Sequence, residues 1–285
     1  MRTPAVHTST LHAAVARLLA FLAPADRWLA ERLSPSERDL PARYRITPVT
    51  LDTALRYGAV IDLVRPLYRP GIDILEVGSG SGGVTDFLAV PVVGVDSAFE
   101  RTADRATAHL TPVEAQADAL PFDDASFDVV LSVEMLEHIP AGRRDAVLSE
   151  LFRVVRPGGR VVVTFPADAA AARLDRELND RFRRRYGTDH PWVAEHIREG
   201  VPSTEEVVAR IRRLIGERGA VRVRKHDPAR SWLLHQSLYS AHRWYRPALL
   251  AGLHSRAGAT LLFRALRHAR GAAYYRSIVV VDRRV

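Results

Sequence analysis

The segment from residue 74 to residue 83 limits the possible folds of this chain more than any other stretch. An apolar run that contains one acid, Glu76, leads directly into glycines at positions 78, 80, 82 and 83. Glycine tolerates a positive φ, and a turn without Cβ atoms lets backbone N–H groups approach a ligand at the start of the next helix. The segment therefore predicts a strand, a tight turn and a helix that bind a cofactor. Gly78, Gly80 and Gly83 also satisfy a three-glycine dinucleotide pattern, so this segment alone leaves the cofactor open.

Later motifs follow at the intervals expected of successive βα units. The apolar run 91–95 ends in Asp96, where the second strand of a doubly wound sheet presents a carboxylate to the two hydroxyls of a ribose. Taken alone, an Asp at this position is equally compatible with a helix cap. Further motifs occur at residues 117–122, 127–132, 134–139, 155–160 and 161–163. This alternation predicts a mostly parallel sheet with right-handed crossovers.

In this order and at this spacing, the motifs of roughly residues 70–165 resemble those of class I S-adenosylmethionine-dependent methyltransferases, in particular the subgroup with the ubiquinone-biosynthesis methyltransferases. The resemblance implies an α/β fold, Rossmann-like and doubly wound, with a seven-stranded, mostly parallel sheet whose last strand is antiparallel. Two runs rich in β-branched residues, Ala220–Lys225 and Ser277–Asp282, are predicted to form the antiparallel pair that ends such a sheet.

The expected domain organisation follows from the same resemblance. A helical N-terminal layer over residues 1–66 precedes a methyltransferase domain over residues 67–285. Two insertions, at about 167–201 and 228–275, are predicted to form helical lids that select the substrate.

The resemblance implies S-adenosylmethionine as the cofactor. Glu76 would orient the methionyl ammonium, Asp96 would hold the ribose hydroxyls, and Asp118 would accept the adenine amino group. The other cofactor-binding positions carried over from the family are Gly78, Ser79, Gly80, Gly82, Ser97, Ala119 and Val133.

The segment from Glu134 to His138 carries the clearest mechanistic indication. Methyl transfer to oxygen requires placement of the acceptor and removal of its hydroxyl proton, which a neutral imidazole takes near pH 7. Alternatively, a bound divalent cation lowers the pKa of the hydroxyl. The arrangement is similar to the magnesium-binding element of ubiquinone O-methyltransferases and small-RNA terminal methyltransferases, which implies Mg²⁺ at Glu134, Glu137 and His138. Because the same residues also occur where a Glu-His pair only caps the next helix, three roles remain open: base, metal ligand and structural residue.

The first insertion contains further candidates. His196 is predicted to join His138 and Glu137 as a catalytic residue, and His190 is a second candidate for a base, a metal ligand or a substrate contact. Asp168, directly after the fifth strand, lies near the expected substrate entrance. A histidine in a polar loop is also often only solvated.

Charge separates the last quarter of the chain from the rest. The formal net charge is +8, and residues 222–285 hold thirteen Arg or Lys against two Asp, so the remainder is about 3 negative. Arginines alternate there with tryptophan and tyrosine, a mixture that binds phosphates, stacks on sugars or bases, or contacts an anionic membrane surface. The alternative is an amphipathic helical lid whose leucines pack in the core and whose arginines are solvated.

The absence of cysteine excludes disulfides, thiolate metal sites and cysteine nucleophiles, and is compatible with the cytoplasm. The apolar segment Leu11–Leu22 is interrupted by Arg17 and is too short to span a bilayer. We therefore expect neither export nor a membrane span, and peripheral contact with the inner membrane face is the one membrane association that we retain.

The sequence favours S-adenosylmethionine-dependent O-methylation of a hydroxyl on a small molecule, a sugar, or a glycan- or lipid-linked precursor that includes phosphate-bearing acceptors. One alternative is an RNA or DNA methyltransferase that uses the basic C-terminal region, although no base-flipping signature accompanies it. A non-catalytic nucleotide-binding protein of the same fold is another. The glycines also allow an NAD dehydrogenase, which the later motifs disfavour. The acceptor, the methylated position and the oligomeric state remain open.

Overall fold

The computed structural model describes residues 51–80, 83–88, 90–99, 109–240, 265–266 and 269–285. Within this part of the chain, seven strands form one sheet in the order β3-β2-β1-β4-β5-β7-β6. The strands are β1 Ile74–Val77, β2 Val92–Asp96, β3 Leu110–Glu114, β4 Phe127–Val133, β5 Val155–Pro166, β6 Gly219–Pro228 and β7 Tyr274–Arg283. The α-helices are α1 Leu51–Val64, α2 Arg144–Val154, α3 Asp168–Tyr186, α4 Pro191–Glu199, α5 Thr204–Ile215 and α6 Ala229–Ser240.

The strand pairing confirms the predicted fold class. Strands β1 to β5 pair in parallel, with β1 between β2 and β4. Strand β7 is antiparallel to both β5 and β6, and the two predicted runs lie within β6 and β7. Strand β5 begins at Val155 rather than near residue 160, because its first residues pair with Phe127 before a register shift.

Both faces of the central strands of the sheet are buried, whereas the edge strands β3 and β6 are largely exposed. One apolar cluster joins α1 to residues such as Val129, and the other joins α2 and α5 to residues such as Val130. Successive side chains of a strand point to opposite faces, so a strand covered on both sides reads as a continuous apolar run. The motif sequences of β1, β4 and β5 have this character for that reason.

Helix α1 belongs to the core beneath the sheet. Its residues Leu55, Val60 and Ile61 are buried against β1 and β4. Within the predicted N-terminal layer, the structure describes this helix and the short 3-10 helix Arg65–Leu67, whereas residues 1–50, with the Leu11–Leu22 segment, lie outside the described residues. The boundary at residue 66 stays a prediction.

The two predicted insertions meet beside the sheet. Helices α3 and α4 pack with Trp232 of α6 and Tyr275 of β7 in a third apolar cluster. Helix α5 begins at a side-chain cap, with the Ser203 side chain accepting a hydrogen bond of 3.4 Å from the Glu206 N–H. Residues 241–264, which hold much of the arginine-rich and aromatic tail, are not among the described residues. No described helix is long and apolar enough to cross a membrane.

Candidate active site

The glycine turn is built around the buried carboxylate of Glu76 at the end of β1. Its Oε1 accepts a hydrogen bond of 2.9 Å from the Tyr57 hydroxyl, and its Oε2 accepts one of 2.6 Å from the Val84 N–H. Gly83 has a φ of +56°, and a Cβ atom there would overlap the Glu76 carboxylate. Position 83 therefore needs glycine for two reasons: its φ is positive, and a side chain there would collide with Glu76.

The turn then brings the ends of β1 and β2 together. The N–H groups of Gly78 and Ser79 both donate to the Val95 carbonyl, at 2.8 and 3.2 Å. The Gly80 N–H donates to Asp96 Oδ2 at 2.9 Å, and among the described residues nothing lies within 4 Å of a Cβ built at Gly80. Two acids thus flank the turn, an arrangement that fits a nucleoside carrying an ammonium group.

The remaining predicted cofactor positions differ in their surroundings. Ser97 and Ala119 are exposed beside the strand ends, Val133 is buried at the end of β4, and Gly82 is outside the described residues. Asp118 is paired with Arg143, whose Nε and Nη2 each lie 2.7 Å from one of its carboxylate oxygens. These hydrogen bonds hold the pKa of Asp118 below its ordinary value. Nothing in the local sequence indicates Arg143, which follows in a separate motif.

The Glu134 carboxylate is engaged by Thr164 and Arg276. It adopts a φ of +53°, and its Oε1 accepts a hydrogen bond of 3.2 Å from Thr164 Oγ1. Its Oε2 lies 3.1 Å from Nε of the buried Arg276, which also pairs with the buried Asp227. A buried guanidinium requires such partners because desolvation of an unpaired charge is costly. The structure therefore engages Glu134 in an ion pair, and its predicted role as a ligand beside Glu137 stays a prediction.

Glu137, His138 and His196 form one cluster. Each offers a ligand atom, and these atoms all lie within 4.8 Å of one another. Glu137 is 1% exposed, and neither of its carboxylate oxygens has a hydrogen-bond partner among the described residues. Burial, reinforced by the charge of Glu134, raises the pKa of Glu137 well above its ordinary value. A buried carboxylate without a partner is unfavourable unless it is protonated or binds something.

Carboxylates orient both imidazoles of this cluster. Nδ1 of His138 lies 2.7 Å from Oε2 of Glu195, and Nδ1 of His196 lies 3.1 Å from Oδ2 of the fully buried Asp175. The two rings are 4.8 Å apart between centroids. With each Nδ1 engaged by a carboxylate, Nε2 is the nitrogen available for a proton or a cation.

Burial, followed by the neighbouring His196, lowers the pKa of His138. A lowered pKa keeps this imidazole neutral near pH 7, which is the form that accepts a proton. On the other side of the cluster, Asp175 Oδ1 accepts a hydrogen bond of 2.7 Å from the Tyr275 hydroxyl. Burial and the charge of Asp175 raise the pKa of Tyr275 well above its ordinary value, so this tyrosine remains a donor.

Arg144 connects the two segments that carry the cluster. Its Nε donates to the carbonyls of Leu136 and Ile139 at 3.2 and 2.9 Å, and its Nη2 donates to the carbonyls of Glu199 and Gly200 at 3.1 and 2.5 Å. A cation at the C-terminal end of α4 satisfies carbonyls that lack partners within the helix. Arg144 therefore fixes the His138 segment against the helix that carries His196.

The other predicted candidates have structural contacts. The Nδ1 of His190 accepts a hydrogen bond of 3.4 Å from the Val193 N–H at the start of α4, and its ring packs on Phe182. Asp168 Oδ1 accepts a hydrogen bond of 2.8 Å from the Thr204 N–H, and its Oδ2 pairs with Lys225 at 2.5 Å. Neither residue belongs to the cluster of Glu137 and the two histidines.

Sequence reasoning missed Tyr57, which contacts Glu76, and the residues that support the cluster, namely Arg144, Asp175, Glu195 and Tyr275. Glu195 directly precedes His196, and an acid beside a histidine was the one available signal. Asp175 and Tyr275 are separated by 100 residues and meet only because α3 packs on β7.

Known proteins resemble this chain over the part that contains the glycine turn and the segment from Glu134 to His138. Residues 75–163 match the family described as "Methyltransferase domain". A stretch of 133 residues is 34% identical to ubiquinone/menaquinone biosynthesis C-methyltransferase UbiE of Rhizobium leguminosarum bv. trifolii, covering 41% of this chain and 50% of that protein. A stretch of 105 residues is 41% identical to 2-methyl-6-phytyl-1,4-hydroquinone methyltransferase of Synechocystis sp., covering 33% of this chain and 32% of that protein. The matches thus span half or less of these relatives.

Among solved structures, the [4+2]-cyclase SpnF is similar with a TM-score of 0.52 and 16% identity, over 94% of this chain and 95% of that one. Phosphoethanolamine N-methyltransferase 2 of Haemonchus contortus, solved with S-adenosyl-L-methionine, has a TM-score of 0.50 and 18% identity, over 80% of this chain and 52% of that one. At these identities the likeness concerns the fold alone.

Proposed function

We propose, on the premise that this chain is a class I S-adenosylmethionine-dependent methyltransferase, that it methylates an acceptor whose hydroxyl group is deprotonated at the cluster of Glu137, His138 and His196. One observation carries the proposal. A Cβ atom at Gly78 would come within 2.5 Å of Met135 Cγ, so the glycine turn packs directly on the segment that leads into the cluster. Cofactor and base would therefore be neighbours.

S-adenosylmethionine, when bound, supplies the methyl group on an activated sulfonium. The residues that would hold it are Glu76 at the ammonium, Asp96 at the ribose and Asp118 at the adenine amino group. Since the donor is already activated, the protein's remaining tasks are placement and removal of a proton.

His138 is suited to the removal of that proton. Its Nδ1 is engaged by Glu195, which leaves Nε2 to accept the proton of the acceptor hydroxyl, and Glu195 then stabilises the resulting imidazolium. A positioned base of this kind typically contributes about 10²–10⁴-fold to the rate. His196, fixed by Asp175 in the same way, would position the acceptor or share the proton.

A divalent cation fits the same three residues. The unsatisfied carboxylate of Glu137 is the observation that favours it, and Nε2 of each histidine completes the donor set. A bound cation supplies Lewis acidity that lowers the pKa of a hydroxyl. Magnesium prefers oxygen ligands, whereas two imidazoles and one carboxylate suit manganese, iron, cobalt or zinc. Because Nε2 of His138 cannot bind a cation and accept a proton at the same time, the cation is a second candidate mechanism for activating the hydroxyl, and we expect a transition metal there ahead of Mg²⁺.

Two kinds of atom, oxygen and carbon, are candidates for the acceptor of the methyl group. We propose oxygen, because a base beside the cofactor turn activates a hydroxyl directly. Carbon is the second candidate, since the similar protein of Rhizobium leguminosarum bv. trifolii is a C-methyltransferase. Deprotonation of a phenolic hydroxyl activates its ring carbons as well, so the same base serves both outcomes.

A small-molecule acceptor is our first choice of partner. The glycan, phosphate-bearing, nucleic-acid and membrane alternatives rested on the arginine-rich tail, and of its aromatic residues Trp232 is buried in a stack with Tyr275, 3.8 Å between ring centroids. That contact is typical of a core residue, as the lid interpretation expects.

Titration calorimetry with S-adenosylhomocysteine and with NAD tests the cofactor. The proposal requires binding of the former and no response to the latter. A screen of phenols, hydroquinones and sugars with labelled S-adenosylmethionine then tests the acceptor, and mass spectrometry with NMR of the product distinguishes O- from C-methylation. If the protein binds neither S-adenosylhomocysteine nor NAD, the proposal is wrong.

A further inference from the structure

Helix α1 reaches the cofactor turn although it precedes the residues that match the methyltransferase family. The hydroxyl of Tyr57, in the middle of this helix, donates a hydrogen bond of 2.9 Å to Glu76 Oε1. Tyr57 is 6% exposed, and both partners lie in the interior. The acid proposed to hold the ammonium of the methyl donor is therefore contacted by a side chain from outside the family match, which covers residues 75–163.

The position of this hydroxyl is fixed by packing. The Tyr57 ring stacks on Phe87, with 5.2 Å between ring centroids and 22° between ring planes. Leu55, two residues earlier, is buried, and its carbonyl accepts a hydrogen bond of 2.9 Å from Nε2 of His226. Helix α1 is thereby tied to β6 on one side and to the segment after the glycine turn on the other.

The two carboxylate oxygens of Glu76 have different partners. Oε1 accepts from Tyr57, and Oε2 accepts from the Val84 N–H behind the turn. Two donors from different elements set the plane of the carboxylate, and this plane decides where an ammonium group is bound.

We propose that Tyr57 is a positioning residue for the amino-acid end of the methyl donor and acts by aiming the Glu76 carboxylate. The inference rests on the proposed function. Without the hydroxyl, Glu76 keeps its charge but loses the donor that reaches it from helix α1. The ammonium of the donor is then bound less well, whereas the adenine and ribose, which face Asp118 and Asp96, are unaffected.

The experiment compares two ligands on wild type and Tyr57→Phe. S-adenosylhomocysteine carries the amino-acid portion, and 5′-methylthioadenosine lacks it. We expect Tyr57→Phe to weaken S-adenosylhomocysteine binding roughly tenfold, the equivalent of one hydrogen bond to a charged group, and to leave 5′-methylthioadenosine binding unchanged. Equal weakening of both ligands indicates a merely structural role and overturns the proposal, as does unchanged binding of both.

Two further variants keep the test decisive. Phe87→Leu loosens the packing of the Tyr57 ring but leaves the hydroxyl, so its ligand-selective loss should be smaller than that of Tyr57→Phe, and a loss as large as that of Tyr57→Phe contradicts the proposal. In a Glu76→Gln background, Tyr57→Phe should have no additional effect on S-adenosylhomocysteine, and an additive loss contradicts the proposal. If the wild type binds neither ligand, the proposed function itself fails, whereas binding by wild type with no ligand-selective loss in Tyr57→Phe refutes only this inference.

Discussion

His138 and Glu195 are 57 residues apart in the chain, yet Nδ1 of the histidine lies 2.7 Å from Oε2 of the glutamate. The pair joins the end of β4 to helix α4, which belongs to the first insertion. In the proposed mechanism the first insertion therefore supplies Glu195, the carboxylate that orients the base His138.

Replacement of His138 by Asn should reduce turnover of an acceptor by about 10²–10⁴-fold, because the proposed base is lost. Affinity for S-adenosylhomocysteine should remain unchanged, since the cofactor is held by other residues. Glu195→Gln should lower turnover less, roughly 10–100-fold, as is usual for a residue that orients an imidazole. Steady-state kinetics and calorimetry measure both quantities.

The matched control for Glu195 is Glu199→Gln on the same helix. The Glu199 side chain pairs with Arg198 at the surface, 2.7 Å away, and should be neutral for turnover. Loss of activity in both helix variants, or in neither, would contradict the role assigned to Glu195.

A cation at the cluster is tested by calorimetric titration of the metal-stripped protein with MnCl₂ and with MgCl₂. We expect one equivalent of Mn²⁺ to bind more tightly than Mg²⁺, because two imidazoles and one carboxylate suit a transition metal. Glu137→Gln should abolish binding, whereas Asp118→Asn, at the adenine position, should retain it. If wild type binds neither ion, or if EDTA leaves turnover intact, the cation is removed from the mechanism and His138 acts alone.

The glycine turn offers a matched pair of substitutions. Gly80 and Gly83 have φ values of +53° and +56°, but a Cβ at Gly80 meets no described residue within 4 Å, whereas a Cβ at Gly83 overlaps the Glu76 carboxylate. Gly80→Ala should cost about 1–2 kcal/mol, the strain of a left-handed residue. Gly83→Ala should cost roughly 3 kcal/mol or more, because Glu76 must also leave the Val84 N–H. Urea unfolding of the protein without ligand measures the loss of unfolding free energy in both variants. Equal losses would show that the Glu76 side chain moves away from a Cβ at position 83 at no cost.

His226 should make stability depend on pH. Burial, followed by the charge of Arg276, lowers its pKa from 6.5 to about 4. The unfolded chain therefore takes up a proton between pH 6.5 and 4 while the folded chain does not, so this contribution to stability is present above pH 6.5 and is lost as the pH falls towards 4. A shift of the His226 pKa from 6.5 to about 4 corresponds to a change of about 3 kcal/mol in the free energy of unfolding.

His226→Gln keeps a donor for the Leu55 carbonyl and cannot be protonated. The difference in unfolding free energy between pH 7 and pH 5 should therefore be smaller in this variant than in wild type. Identical pH profiles would exclude His226 as the source of acid sensitivity.

Much of the fold was predictable because its determinants are local. The apolar runs of β1, β2, β4 and β5 identify strands buried on both faces, and the acids at 76 and 96 mark where two of them end. The start of β5 was less predictable, since the residues before Arg160 join the sheet through a register shift that depends on β4.

The candidate site was predictable only in part. The segment from Glu134 to His138 indicated the right region, but its two acids are separated in space, one facing Arg276 and the other facing the histidines. Arg276 comes from β7, at the other end of the chain, and no pattern around Glu134 could indicate it. Asp118 likewise meets Arg143 because two loops converge at one edge of the sheet.

The sequence by itself determined the order of strands and helices, the glycine turn and the acids beside it, because steric preferences and hydrophobic periodicity act over a few residues. Only the tertiary structure decided that Tyr57 contacts Glu76 and that Asp175 and Glu195 orient the imidazoles. These pairings join segments that are far apart in the chain. They depend on how helices pack on the sheet, and hydrogen-bond geometry within about 3 Å is set by that packing and not by local pattern.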